Sequence, residues 1–281
     1  MLDFIPKIPI AEAVSDFTDD ITNAFAWLFN PIKNQFGDFM EWSADLLVAI
    51  PPIIIILVVA LLAFFITGKR IGLAIFSVIG LWLIYNQGLW EELMFTFSLV
   101  LIASLLSVII GVPVGILMSK SKLAENIISP ILDFMQTMPA FVYLIPAVAF
   151  FSIGMVPGIF ASLIFATPPT VRFTNLGIRQ VSEELVEASD AFGSTGTQKL
   201  FKVELPMAKS TIMAGINQTV MLSLSMVVIA SMIGAPGLGR EVLSSLQRAQ
   251  VGTGFVAGIG IVILAIIIDR FTQNLNMKKA D

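Results

Sequence analysis

The sequence contains no cysteine and no histidine. Those two absences exclude disulfides, thiol nucleophiles, zinc sites built on Cys and His, and every Ser-His-Asp or Cys-His arrangement. Charge is scarce as well. Asp, Glu, Lys and Arg make up 13% of the 281 residues, about half the usual 25%. A soluble globule of this length has more surface than so few charges can cover, so the chain reads as a membrane protein. Its net charge of −4 is modest and speaks against nucleic acid as a partner. A cleavable signal peptide is also missing from the pattern: the first twenty residues hold five acids and one Lys, with no basic start before a continuous apolar run.

What the chain has in quantity is apolar side chain, at 57%. A membrane span needs about 20 mostly apolar residues, and about seven runs meet that length. They lie at 46–66, 71–85, 93–118, 127–153, 156–171, 212–233 and 251–268, the second reaching full length only if it continues to Trp90. Pro130, Asp133, Pro139 and Pro146 interrupt the fourth, and Pro168-Pro169 close the fifth. The expected fold is an all-α integral membrane protein.

An odd number of spans puts the termini on opposite sides, and the Lys/Arg bias decides which is which. With the N-terminus outside, Lys69, Arg70, Lys120, Lys122, Arg172, Arg179, Lys199, Lys202, Lys209, Arg270, Lys278 and Lys279 face inward. Only Lys7, Lys33, Arg240 and Arg248 then face outward, so 12 of the 16 basic residues lie inside. The expected orientation is N-out, C-in.

Before the first span, Ile10, Val14, Phe17, Ile21, Phe25 and Leu28 draw one apolar stripe at helical spacing. Glu12, Asp16, Asp19 and Asp20 occupy the other face, and Pro31 is the expected end of this helix. It is either an interfacial helix bracing the spans on the outer surface or a surface helix that aids insertion. Its acidic face disfavours docking on anionic lipid.

The only long loop on the inner side runs from Arg172 to about Lys209. It reads as two short helices. Ser182 stands where a cap belongs, with Glu183 and Glu184 at the positive end. Leu185, Ala188 and Phe192 share a face with Glu187 one step round, and Gly193 takes the left-handed position after the helix. A second segment, 197–205, is expected to end against Pro206.

Glu187-Ala188-Ser189, three residues, Gly193, nine residues, Val203, one residue and Leu205-Pro206 resemble the EAA loop of bacterial ABC importer permeases. That pattern is Glu-Ala-Ala, three residues, Gly, nine residues, Ile, one residue, Leu-Pro; Ser189 and Val203 are conservative departures. The stretches 133–146, 166–172 and 233–239 resemble the osmoprotectant, or quaternary-amine, branch of that family. The resemblance covers about 93–268.

The resemblance implies a type I permease core of five helices at 93–281, with the coupling loop at about 181–208. Two accessory spans at 46–92 and the tail at 1–45 precede it. It implies a solute passage for glycine betaine or a related quaternary-ammonium solute in the bacterial cytoplasmic membrane. By the same resemblance, the chain is expected to have no enzyme chemistry of its own. ATP and Mg2+ are expected on a separate ATPase subunit, in two copies, and a second permease copy completes the passage. Because the sequence stops at Asp281, the substrate-binding protein or lipoprotein is expected to be separate. In the loop, Glu187 is the expected polar anchor and Leu185 and Phe192 the expected packing.

The chain's own motifs agree with a borrowed ATPase. A phosphate loop needs Gly, four residues, then Gly-Lys-Ser/Thr, and the only Gly-Lys, at Gly68-Lys69, is followed by Arg70. Polar groups within spans are few. Gln136, Asn217 and Gln218 suit a zwitterion's path equally as well as helix–helix hydrogen bonding. Asp133 stands about 9 Å of helix rise from its span's start, where an ion pair with Lys120 or Lys122 is the favoured reading over substrate contact. Trp82 and Trp90 read as interfacial anchors, and the 13 Met and 22 Phe mainly as packing mass. Rival classes are a permease for another small solute such as an amino acid, an ion-coupled transporter and a membrane scaffold. The second is disfavoured by the lack of a deep carboxylate.

Overall fold

A computed structural model describes residues 9–68 and 71–277, with side chains to 274. Lys7, Lys69, Arg70, Lys278 and Lys279, all part of the basic-residue count above, lie outside the described residues. Every regular element among the described residues is helical. In order these are α1 (Ile10–Ala24), α2 (Ala26–Pro31), α3 (Gly37–Ala49), α4 (Pro52–Ile66), α5 (Ile71–Asn86), α6 (Trp90–Lys120) and α7 (Lys122–Thr137). There follow α8 (Leu144–Phe151), α9 (Met155–Arg179), α10 (Glu183–Ala191), α11 (Gly196–Lys199), α12 (Leu205–Ser231), α13 (Leu238–Gln247) and α14 (Val251–Met277).

The bundle is organised around α9, which lies along α6 on one side and α12 on the other. Small residues set these contacts. A Cβ on Gly115 of α6 would stand 2.5 Å from Thr174 Cβ, and one on Gly215 of α12 would stand 2.6 Å from Phe173 Cβ. Backbones this close gain dispersion contacts that bulky side chains would prevent, the usual basis of helix association in lipid. Hydroxyls add bonds across the seam. The Thr219 hydroxyl donates to the Ala166 carbonyl at 2.8 Å, so its 2.7 Å contact with Thr170 Oγ1 is one in which Thr170 donates. Both threonines are fully buried.

The seven apolar runs resolve unevenly. Trp90–Lys120, Gly196–Ser231 and Val251–Asn274 are long and apolar enough to cross a membrane as single helices. Runs one and four are not straight. Ala26–Ala49 meets Pro52–Ile66 at 93°, and Lys122–Thr137 meets Ala140–Phe151 at 109°. Each break falls at a proline (Pro51-Pro52 and Pro139), where a missing N–H and a restricted preceding residue end the helix. Run two is the 16-residue α5, about 24 Å long and short of a 30 Å hydrocarbon core. Run five is the 25-residue α9, which does not close at Pro168-Pro169 but carries both prolines inside it and runs on to Arg179. Its Gly, Ser, Thr and Pro dilute its hydropathy because it faces protein rather than lipid. By contrast α4 turns Ile53, Leu57 and Leu61 outward, each more than half exposed.

The N-terminal tail also departs from expectation. The first helix breaks at Phe25, and Pro31 does not end the second: the chain winds on through a π-helical turn at Ile32–Phe36 into α3. A π turn accommodates the donor that proline lacks. The tail lies against α8 through stacked rings, Phe29 on Phe150 at 4.9 Å, and through Lys33 Nζ donating to Ser152 Oγ at 2.8 Å. Ile10, Val14 and Phe17 stay exposed.

Gly115→Ala is expected to destabilise the purified protein by about 1–3 kcal/mol, because the added methyl meets Thr174 and the Val171 carbonyl. Gly258→Ala, in open space on α14, is expected to be neutral or stabilising. Thermal unfolding midpoints in detergent check both.

Candidate functional site

The loop joining α9 to α12 forms a compact helical hairpin. Glu183 and Glu184 occupy the first turn of α10, where the helix dipole favours acids. Ser182 precedes it but makes no side-chain capping bond, contrary to the sequence expectation; its carbonyl only starts the backbone ladder. The other end closes as expected. Gly193 has φ +75°, its N–H donates to the Asp190 carbonyl at 2.9 Å, and the Ser194 N–H donates to the Ser189 carbonyl at 3.1 Å. This pair of bonds is a Schellman closure, which needs a left-handed residue and so favours glycine.

The hairpin then turns straight into its second arm. Thr195 Oγ1 accepts from the Gln198 N–H at 3.3 Å while the Thr195 N–H donates to Gln198 Oε1 at 2.9 Å, a reciprocal capping box. Lys199 Nζ bonds both Asp190 carboxylate oxygens at 2.8 Å and ties the arms together. The second arm does not stop at Pro206. It passes through a π-helical stretch at Leu200–Glu204 and continues into α12, because the widened turn absorbs the donor Pro206 lacks.

The motif residues divide between two faces. Leu185, Glu187, Ala188 and Gly193 are exposed, and Phe192 is 90% exposed at the tip. Ser189 faces inward and is buried. Val203 and Leu205 are half-buried, Leu205 packing with Ile178, Ala208 and Ile212, while Pro206 is exposed. Thus one half of the pattern anchors the hairpin and the other half presents a surface. Sequence reasoning passed over Phe201, 62% exposed beside that surface, and Glu204, which is buried.

The three polar path candidates do not form one group. Asn217 Nδ2 donates to Asp269 Oδ1 at 2.9 Å and its Oδ1 accepts from Thr272, so it binds α12 to α14. Gln136 on α7 and Gln218 on α12 are exposed, and no hydrogen bond joins the three among the described residues. Asp133 is ion-paired, but with Arg172 rather than with Lys120 or Lys122. At the same end Arg179 pairs with Glu125 at 2.6 Å and donates to the Met118 carbonyl at 3.1 Å. Two ion pairs therefore join α7 to α9 at the loop end, and the Arg179 bond to the Met118 carbonyl adds α6.

At the opposite end a cavity of about 690 Å3 opens between the start of α6, the end of α12 and α13. Glu91, Glu92, Phe95, Arg240, Glu241 and Arg248 line it. One wall is closely packed: Gly237, at φ +119°, lies against Thr96, whose hydroxyl accepts the Leu238 N–H at 2.8 Å. Among the described residues no group of three or more His, Cys, Asp or Glu is placed to hold a metal ion.

A small-residue helical bundle that projects one closed, apolar-tipped hairpin is the architecture of an ABC importer permease. Residues 107–280 match the family described as "Binding-protein-dependent transport system inner membrane component", and the chain belongs to that family. It is 58% identical over 279 residues to the glycine betaine/carnitine transport permease protein GbuB of Listeria monocytogenes, covering 98% of each chain. Over 278 residues it is 50% identical to the glycine betaine transport system permease protein OpuAB of Bacillus subtilis, covering 99% of this chain and 98% of that one. The glycine betaine/proline betaine permease ProW of Escherichia coli is 47% identical over 266 residues, 95% of this chain and 75% of its own. Among solved structures, a chain of the inward-facing MetNI methionine ABC transporter shares the fold, with a TM-score of 0.59 and 23% identity. The match covers 70% of this chain and 95% of that one.

Gly193→Val is expected to weaken the loop by about 1–2 kcal/mol through backbone strain alone, since nothing lies within 4 Å of an added Cβ. Gly193→Asn is expected to keep the closure. Hydrogen exchange at the Gly193 and Ser194 amides reports the difference.

Proposed function

We propose that this chain is the passage-forming subunit of an ATP-driven importer for glycine betaine or a related quaternary-ammonium osmoprotectant. The observation that carries the solute is near-full-length similarity to three permeases whose names share glycine betaine. The observation that carries the coupling is the hairpin. An aromatic side chain 90% exposed at the tip of a tightly closed loop leaves its ring in water, and its full burial against a partner would release about 1.5–3 kcal/mol.

The partner is a separate ATPase subunit, present in two copies, which binds ATP and Mg2+. Phe192 and Leu185 seat in its groove, and Glu187 supplies a charged contact at the rim. Two copies of this chain enclose the passage, and a separate binding protein or lipoprotein delivers the solute. The charge bias of the sequence supports N-out, C-in placement in the bacterial cytoplasmic membrane, with the hairpin inside. The cavity lined by Glu91 and Arg240 then faces the delivering protein. Within the passage, exposed Gln136 and Gln218 offer neutral hydrogen-bonding groups to a zwitterion, and Asn217 holds α12 in place beside them.

Phe192→Asp is expected to insert and fold normally yet lose the ATPase subunit on affinity purification of the complex, together with uptake. Retention of the ATPase at the wild-type level contradicts the docking reading.

A further inference from the structure

The single unspecified position between Val203 and Leu205 of the loop pattern is Glu204. This residue is 4% exposed, far below its neighbours in the hairpin. Its carboxylate is ion-paired with the ammonium of Lys120, the last residue of α6. Among the described residues nothing else bonds it. The three other ion pairs are more open at their carboxylates: Glu125 is 30% exposed, Asp190 52% and Asp133 65%, against 6% for the Glu204 side chain. A carboxylate this enclosed loses more than an open one when its cation leaves, and here the cation reaches it from a side chain that is itself 39% exposed.

Its location gives this pairing a use. Glu204 ends the π-helical stretch at Leu200–Glu204, the joint between the hairpin's second arm and α12. A π turn is a rare, single-turn departure from the α-helix on either side and is found mostly at functional sites. A cavity of about 460 Å3, bordered by Lys120, Gly196, Thr197 and Leu200, adjoins the first turn of that arm. The joint is therefore irregular and open on one side, and Lys120 bridges it to the end of a second, independent helix. Val112 and Ile116 of α6, with Leu200 and Leu205, pack against the cluster of Ile178, Ala208 and Ile212, and the Glu204 carboxylate is enclosed while the Lys120 side chain stays 39% exposed on the cavity side.

We propose that Lys120 and Glu204 form a positioning clasp that passes displacement of the hairpin to α6, so that movement at the loop shifts the bundle instead of being absorbed in the π turn. The proposal rests on the reading that the hairpin docks on an ATPase. Neither residue touches solute or nucleotide; both act through the helices they join. Through α6 the clasp reaches Gly111 and Gly115, the close contacts with α9.

The test uses the complete importer in proteoliposomes, with ATP hydrolysis stimulated by loaded binding protein and solute uptake measured on the same preparation. Lys120→Gln is expected to retain the ATPase subunit and hydrolyse ATP, but to move about tenfold less solute per ATP. Lys120→Arg is expected to stay within about twofold of wild type, and the exchange Lys120→Glu with Glu204→Lys to recover most of the loss. A merely structural role would lower assembly and both rates together. Wild-type solute per ATP in Lys120→Gln overturns the proposal, as does an exchange variant no better than Lys120→Gln. If Lys120→Gln fails to assemble, the arginine and exchange variants still decide through their own ratios. Failure of the docking reading shows separately, as ATPase retained by Phe192→Asp.

Discussion

Close approach of three helices through side chains of almost no size is the constraint on which the rest of this structure depends. Gly111, Gly115 and Gly215 bring α6 and α12 onto α9 at distances that leave no space for a methyl group. In lipid there is no water to drive apolar faces together, so this contact area and the hydroxyl bonds of Thr170 and Thr219 carry the association. With α9 fixed, the chain leaving its end at Arg179 has a defined starting point. The hairpin is placed by that point, by α12 and by the charges around them.

The hairpin shows how a rigid element is made from few residues. A left-handed glycine closes one helix, a threonine–glutamine box opens the next, and Lys199 on Asp190 binds the two. Each device satisfies backbone or side-chain groups locally, which frees Phe192, Leu185 and Glu187 from any role in folding the loop. Their exposure is therefore available for a partner. The anchoring residues Leu205 and Glu204 point the other way, into the bundle.

Much of this was legible in the sequence, for identifiable reasons. Helical periodicity and glycine chemistry located α10 and its closure, because those are local rules acting on adjacent residues. The permease architecture followed from the loop pattern, whose spacing combines an exposed face with an anchoring one. Other features were not legible. Pro139 marked an interruption and Pro51-Pro52 was passed over inside a run read as continuous; the bends there are 109° and 93°. Pro31 and Pro206 read as stops and are not, since a π turn next to each keeps the ladder going. The partners of Asn217, Asp133 and Glu204 lie 39 to 84 residues away in sequence, and only packing selects among them. Helix α9 is the sharpest case: the most enclosed helix is less apolar than those that face lipid, because protein neighbours supply what lipid cannot.

The account makes this chain a passage whose energy comes from a partner through one exposed hairpin. Uptake of labelled glycine betaine into proteoliposomes holding the chain, its ATPase and its binding protein tests that most directly. The account predicts uptake that requires MgATP on the hairpin side and persists when all ion gradients are collapsed. Uptake that instead follows an ion gradient in the absence of ATP would contradict it.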